Sequence, residues 1–148
     1  MQCIEAPQIY NGNEPSLFLA GGITGCPDWH EEMITGLKDL PIVIFNPRRT
    51  PFPQHHDAIE EQIKWEHTYL RKATAISFWF PEETLCPITL YELGAWSMTN
   101  KTLFLGVHPN YQRIEDIKIQ TALTRPDVSI VQTLEELNHR IRLSFKAG

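Results

Sequence analysis

The chain has 148 residues, 42% of them hydrophobic and 21% charged, with a formal net charge of −5. That length suits one domain whose core needs no disulfide or metal staple, and the composition excludes disorder and collagen-like repeats. The acidic balance argues against a binder of polymeric nucleic acid, which usually carries a basic face. No window holds the roughly 18 apolar residues of a membrane helix.

Met1 to Tyr10 lacks a basic region followed by an apolar core, so no signal peptide is expected and the expected setting is cytoplasmic. The three cysteines, Cys3, Cys26 and Cys86, are odd in number and widely spaced, which excludes a disulfide framework and a CxxC zinc site; each is expected to be a small, partly buried hydrophobe.

In chain order, residues 1–12 read as a loose arm or an edge element. Ser16–Ala20 (SLFLA) reads as a strand ending in Gly21-Gly22, and Pro27–Leu40 as a helix with Trp29, Met33, Ile34 and Leu37 at helical spacing. Ile42–Phe45 is a second strand stopped by Asn46-Pro47, and Asn46–Asp57, rich in proline, is a loop. Ala58–Lys72 is a helix, Ala75–Phe80 a third strand, and Ile88–Thr99 a helix after Pro87. Thr102–Val107 is a fourth strand, Ile114–Leu123 a helix, Ser129–Val131 a short fifth strand, and Leu134–Phe145 the last helix.

Continuously apolar strands alternating with helices predict a parallel sheet covered on both faces. The expected fold is therefore α/β: a single doubly wound, flavodoxin- or Rossmann-like domain over residues 1–148, with its core about 16–145, a five-stranded parallel sheet in the order 2-1-3-4-5, and helices on both faces. In such sheets ligands bind beyond the carboxyl ends of the strands, where the strand order reverses. The segments to watch are Gly21–Asp28 and Pro81–Pro87, with Asn46–Asp57 at the rim.

The first of these reads Gly21-Gly22-Ile23-Thr24-Gly25. Glycines there let backbone N–H groups approach a sugar or phosphate, and Thr24 adds a hydroxyl, although a tight turn without a ligand accounts for the same residues. The segment is neither GxGxxG nor a P-loop, so no cofactor is expected.

Glu92 is the only formal charge between Glu83 and Lys101, set among Leu90, Tyr91, Leu93, Gly94, Ala95 and Trp96. A lone carboxylate on an apolar helix must find hydrogen bonds or shift its pKa. Its place in the second turn, near the positive end of the helix dipole, favours the ionised form that a nucleophile requires. A helix-face glutamate reaching solvent is the plainer alternative.

Glu66 follows Ile59 and Ile63 and precedes Leu70 at the spacing of one apolar stripe, so it is expected to face inward. Two inward carboxylates yield an acid and a base from one residue type. The alternative for Glu66 is a salt bridge to Arg71 or Lys72. Arg48 and Arg49 after the second strand could grip a phosphate or remain solvated loop charges. His55 and His56 with Glu60 lack a third ligand at convincing spacing, so no metal is expected. Trp79, Phe80 and Trp96 fit core roles, with Phe80 and Pro81 at the crevice end of the third strand.

The strings LFLAGGITG, FNPRR, KWEHTYLRKATAISFWFPEETLCPITLYELGAWS and GVHPNYQR resemble the nucleoside 2-deoxyribosyltransferase-like family, from about Leu17 to Leu137. The resemblance implies the doubly wound fold and cleavage of a deoxynucleoside N-glycosidic bond through a covalent deoxyribosyl-glutamate. The sugar then passes to another base, or to water in hydrolase relatives.

It implies Glu92 of YELG as the nucleophile, Glu66 of WEH as the residue that serves the base and its proton, and the Ala20 to Thr24 loop as the sugar holder. The candidate binding set is Ala20, Gly21, Gly22, Thr24, Asn46, Arg48, Phe80 and Pro81. Implied partners are a small nucleoside or nucleotide and a free nucleobase, and a second copy of the chain in a homo-oligomer; no polymeric nucleic acid or membrane is expected. A non-catalytic nucleotide-binding module is the alternative from another class. The best-studied transferases carry Asp in place of Glu66, and an aspartate before the nucleophile where this chain has Glu83-Thr84-Leu85.

Overall fold

The computed structural model describes residues 1–147. Six strands form one wholly parallel sheet: β1 (Gln2–Glu5), β2 (Ser16–Gly21), β3 (Val43–Asn46), β4 (Ala75–Phe80), β5 (Thr102–Val107) and β6 (Ile130–Val131), in the order β1-β3-β2-β4-β5-β6. The helices are α1 (Trp29–Leu37), α2 (Ala58–Lys72), α3 (Pro87–Ser97), α4 (Ile114–Thr124) and α5 (Leu134–Ala147). Setting β1 aside, the remaining order is the predicted 2-1-3-4-5.

The sixth strand is the N-terminal segment. Gln2 to Glu5 pair with Val43 to Asn46, so this stretch is an edge element and not a loose arm. Its mixed sequence QCIE buries fully only Ile4, which is why it lacks the apolar signature of an inner strand. The residues after it are stitched to α2: the Trp65 indole N–H donates to the Gln8 carbonyl at 2.8 Å, and the Tyr10 N–H donates to the Tyr69 hydroxyl at 2.7 Å.

Alternation along the strands divides the core between the two faces of the sheet. Phe18, Phe45, Ile76 and Phe78 pack with Trp65 and Tyr69 of α2 and Leu93 of α3. Leu17, Leu19, Ile44 and Trp79 pack on the other face with Met33 and Leu37 of α1 and Ile141 of α5. Every residue of β4 is buried, as a central strand covered on both faces requires.

The inward face of α2 differs from the expected one. Ala58, Gln62, Trp65, Tyr69 and Leu70 are buried, whereas Ile59 and Ile63 are 68% and 59% exposed. Large aromatic area outweighs the two isoleucines in setting the rotation of the helix. The stripe holding Ile63 and Glu66 therefore borders a surface cavity beside α3 instead of entering the core.

Candidate active site

Strand order reverses between β2 and β4, so the segments leaving their carboxyl ends flank the crevice. The segment after β2 is held from several sides. The Trp29 indole N–H donates to the Gly22 carbonyl at 2.8 Å. Asp28 caps α1 by accepting from the Glu31 N–H at 3.1 Å.

Arg48 donates to the Pro27 and Cys26 carbonyls, each at 3.0 Å, with its Nε 3.7 Å from an Asp28 oxygen. Asn46 accepts the Arg48 backbone N–H at 3.0 Å through its Oδ1. Gly22 is required by space, because a Cβ there would lie 2.7 Å from the Cys86 sulfur and 2.9 Å from that of Cys26. Gly25 is required by conformation, with φ at +75°.

The segment after β4 turns into α3 through Cys86, whose φ of 51° places a non-glycine residue in the left-handed region. The turn is fixed from below by Tyr111, a buried residue whose hydroxyl donates to the Leu85 carbonyl at 2.7 Å. Pro87 opens α3 at a place where a missing N–H costs nothing. Glu92 follows in the second turn and Glu66 comes across from α2.

The two carboxylates lie on a wall shared by two cavities. One, of about 340 Å³, is also lined by Gly21, Gly22, Thr24, Thr84 and Thr89. The other, of about 500 Å³, lies between α2 and α3 and is lined by Ile63, His67, Tyr91 and Trp96. Glu66, Ile88 and Glu92 belong to both. A further cleft of about 410 Å³ between α3 and α4 is lined by Leu90, Leu93 and Ile117, and its acid, Asp116, is already paired with Arg113 at 2.7 Å.

Burial, and then the neighbouring charge of Glu66, push the Glu92 carboxyl up to about 8. Burial also raises Glu66, partly offset by a hydrogen bond from the Gln62 amide at 3.4 Å. The expectation that the helix dipole holds Glu92 ionised is thus corrected. The dipole's influence fades within the first turn, and desolvation beside a like charge outweighs it. Two such carboxyls retain a proton between them near neutral pH.

Of the residues singled out from sequence, Gly21, Gly22, Thr24, Glu66 and Glu92 meet at the cavities. Ala20, Asn46, Phe80 and Pro81 are buried and line neither cavity; Phe80 packs on the Tyr111 ring with centroids 5.2 Å apart. Arg48 reaches the loop carbonyls, and Arg49 pairs with Glu61 at 2.8 Å.

Glu66 makes no ion pair with Arg71, whose donor goes to the His67 carbonyl at 3.0 Å. Sequence reasoning missed three supports: Gln62, which links Glu66 to the Pro47 carbonyl; Trp29, read only as one of the apolar residues at helical spacing; and Tyr111. Gln62 lies one helical turn before Glu66, a spacing that could have marked it. Tyr111 has no local signal.

A doubly wound α/β domain with a desolvated carboxylate pair at its switch point defines a class of small-ligand site. Comparison of the sequence with known families makes this specific. The profile described as nucleoside 2-deoxyribosyltransferase like matches residues 14–111, about two thirds of the chain, and the chain belongs to that family. No curated protein matches the chain significantly. The matched region runs from β2 through Tyr111 and contains both glutamates and both crevice segments. Membership supports deoxyribosyl-transfer chemistry in general, with small nucleoside substrates. No helix among the described residues is long and apolar enough to cross a membrane.

Proposed function

We propose that the chain cleaves the N-glycosidic bond of 2′-deoxynucleosides or deoxynucleotides by double displacement and transfers the deoxyribosyl group to a second base. The observation that carries this reading is the meeting of Glu92 and Glu66, from different helices, on one wall beside the glycine segment. The sugar occupies the glycine-segment cavity, and the base extends toward α2 and α3.

An oxygen of Glu92 bonds to C1′ as the C1′–N bond breaks, and the electron pair of that bond goes to the base nitrogen. The proton held by the carboxyl pair passes through Glu66 to the leaving base. As positive charge develops on the sugar, it draws Glu92 into the ionised form that then bonds to C1′. The incoming base repeats the displacement in reverse and returns a proton to the pair. Two inversions preserve the anomeric configuration. Nucleophile and proton both come from the chain's own side chains, without a cofactor.

A homo-oligomer belongs to this reading. Ile59, Ile63, Ile88 and Tyr91 are each more than half exposed around the α2–α3 cavity, and a second copy of the chain would cover them.

Chromatography of the protein with deoxynucleosides and deoxynucleotides, with and without a second free base, tests the chemistry. New nucleoside formed only with the second base supports transfer. Free base and free sugar without exchange would replace transfer with hydrolysis. Ligand binding without any turnover would leave a binding module.

A further inference from the structure

We infer that Cys26 and Cys86 form a redox pair, and that a disulfide between them closes the crevice to substrate. The pairing rests on geometry; its effect on turnover rests on the N-glycosidic reading above.

The two cysteines are remote in sequence and belong to the two segments that flank the crevice. Cys26 lies in the segment after β2, and Cys86 caps α3 in the segment after β4. Both thiols are free. Gly22 lies between them: a Cβ there would stand 2.7 Å from the Cys86 sulfur and 2.9 Å from the Cys26 sulfur. The sulfurs are therefore no farther apart than those two distances laid end to end, and the missing side chain leaves the space in which they can meet. Each sulfur is held to a carbonyl only by a 3.5 Å contact, Cys26 to Thr24 and Cys86 to Thr84. A disulfide needs the sulfurs about 2 Å apart, so side-chain rotation and a small shift of the loop complete it. The backbone at Cys86, with φ at 51°, suits glycine or asparagine better than cysteine, so the turn itself does not account for the thiol. Cys3, the third cysteine, sits apart on the edge strand β1.

Burial first, and the charge of Cys26 second, push the Cys86 thiol up to about 12, which independently marks the two as neighbours. Burial and then Glu83 raise the Cys26 thiol, with Arg48 offsetting part of the shift. Both groups rest as thiols, so the pair responds to a sustained oxidant load and not to a brief one.

The oxidant is a small disulfide of the glutathione type. Cys26, the more exposed of the two, gives up its proton and bonds to one sulfur of that disulfide. The other sulfur leaves and takes up a proton as a free thiol. The Cys86 sulfur then loses its proton, bonds to the Cys26 sulfur and expels the second small thiol, which is protonated in turn. The cysteine pair loses two electrons, and one small disulfide becomes two thiols. The bridge ties the glycine segment to the start of α3, two walls of the cavity of about 340 Å³ that holds Glu66 and Glu92. Drawing those walls together narrows the cavity and displaces the helix start that carries Glu92.

The test equilibrates the full chain at pH 8 with mixtures of reduced and oxidised glutathione, blocks remaining thiols by alkylation, and maps the peptides by mass spectrometry. Cys26 and Cys86 should appear in one linked species lacking two hydrogens, with Cys3 alkylated. Deoxyribosyl transfer, and deoxynucleoside binding to the Glu92→Gln protein by calorimetry, are measured on both forms. Each should fall by roughly ten- to a hundredfold on oxidation, the cost of misplacing groups by about 1 Å, and return with a reducing dithiol. Cys26→Ser should keep its transfer activity through the same mixtures.

Free, alkylated Cys26 and Cys86 at every mixture overturn the inference. So does a disulfide that leaves transfer and binding unchanged, or an equal oxidative loss in Cys26→Ser. Weaker binding by the oxidised form, with no transfer by the reduced one, supports the inference while the catalytic reading fails. Binding by neither form overturns both.

Discussion

Replacing Glu92 by Gln should remove activity and at the same time stabilise the protein at alkaline pH. The carboxyl is raised from its ordinary 4.5 to about 8, so between those values the folded state holds a proton that the unfolded chain has released. Stability of the parent therefore falls as pH rises through that window and is fully present only below it. At 1.36 kcal/mol per pH unit the upper bound is about 5 kcal/mol.

Glu92 keeps part of its surface in water, so about 2 kcal/mol is the reasonable expectation. Glutamine has nearly the same shape and never ionises. At pH 9 the variant should melt about 4–8 °C above the parent, and at pH 4 the two should agree within about 1 °C. Thermal unfolding at pH 4, 7 and 9, alongside deoxyribosyl transfer at pH 7, reads both effects. Transfer should drop by about a thousandfold or more. Equal melting at pH 9 would refute the desolvated pair, and surviving transfer would refute Glu92 as nucleophile.

The remaining predictions concern the surroundings of that pair. In the parent, kcat/KM should decline above about pH 8, as the pair loses its last proton, in a pH–rate profile. Glu66→Gln should lower kcat by about 10²–10⁴ for bases that leave only when protonated, and by much less for a base that departs as a stable anion, as steady-state rates would show. Arg48→Ala frees the Cys26 and Pro27 carbonyls and should raise KM more than it lowers kcat, with a loss of about 1–3 kcal/mol in denaturant unfolding. Gly22→Ala drives a methyl onto two sulfurs and should cost about 1–3 kcal/mol, partly recovered when Cys86→Ala is added.

Much of the fold was legible because a buried parallel strand needs an unbroken apolar run. AISFWF and TLFLGV satisfy that need, so β4 and β5 could be placed to the residue. The edge strand QCIE was not, since one buried residue in four leaves no pattern. The rotation of α2 also escaped: Ile59 and Ile63 look like core in a helical wheel, but the Trp65 and Tyr69 rings claim the sheet.

For the site, sequence alone marked Glu92, because a single charge in an otherwise uncharged stretch has few explanations, and it marked the glycines after β2. Only the tertiary structure brought those residues together on one cavity wall. Folding buries much of Glu92 and sets Glu66 beside it, and that desolvation first, with the neighbouring charge second, neither of which a local pattern encodes, makes Glu92 basic enough to hold a proton near neutral pH. Folding likewise engaged Arg48 and Arg49 outside the two cavities, because loop carbonyls and a neighbouring glutamate offered their guanidinium groups close partners. Residue type fixes which chemistry a chain can carry; the distances between side chains remote in sequence fix which part of it is used.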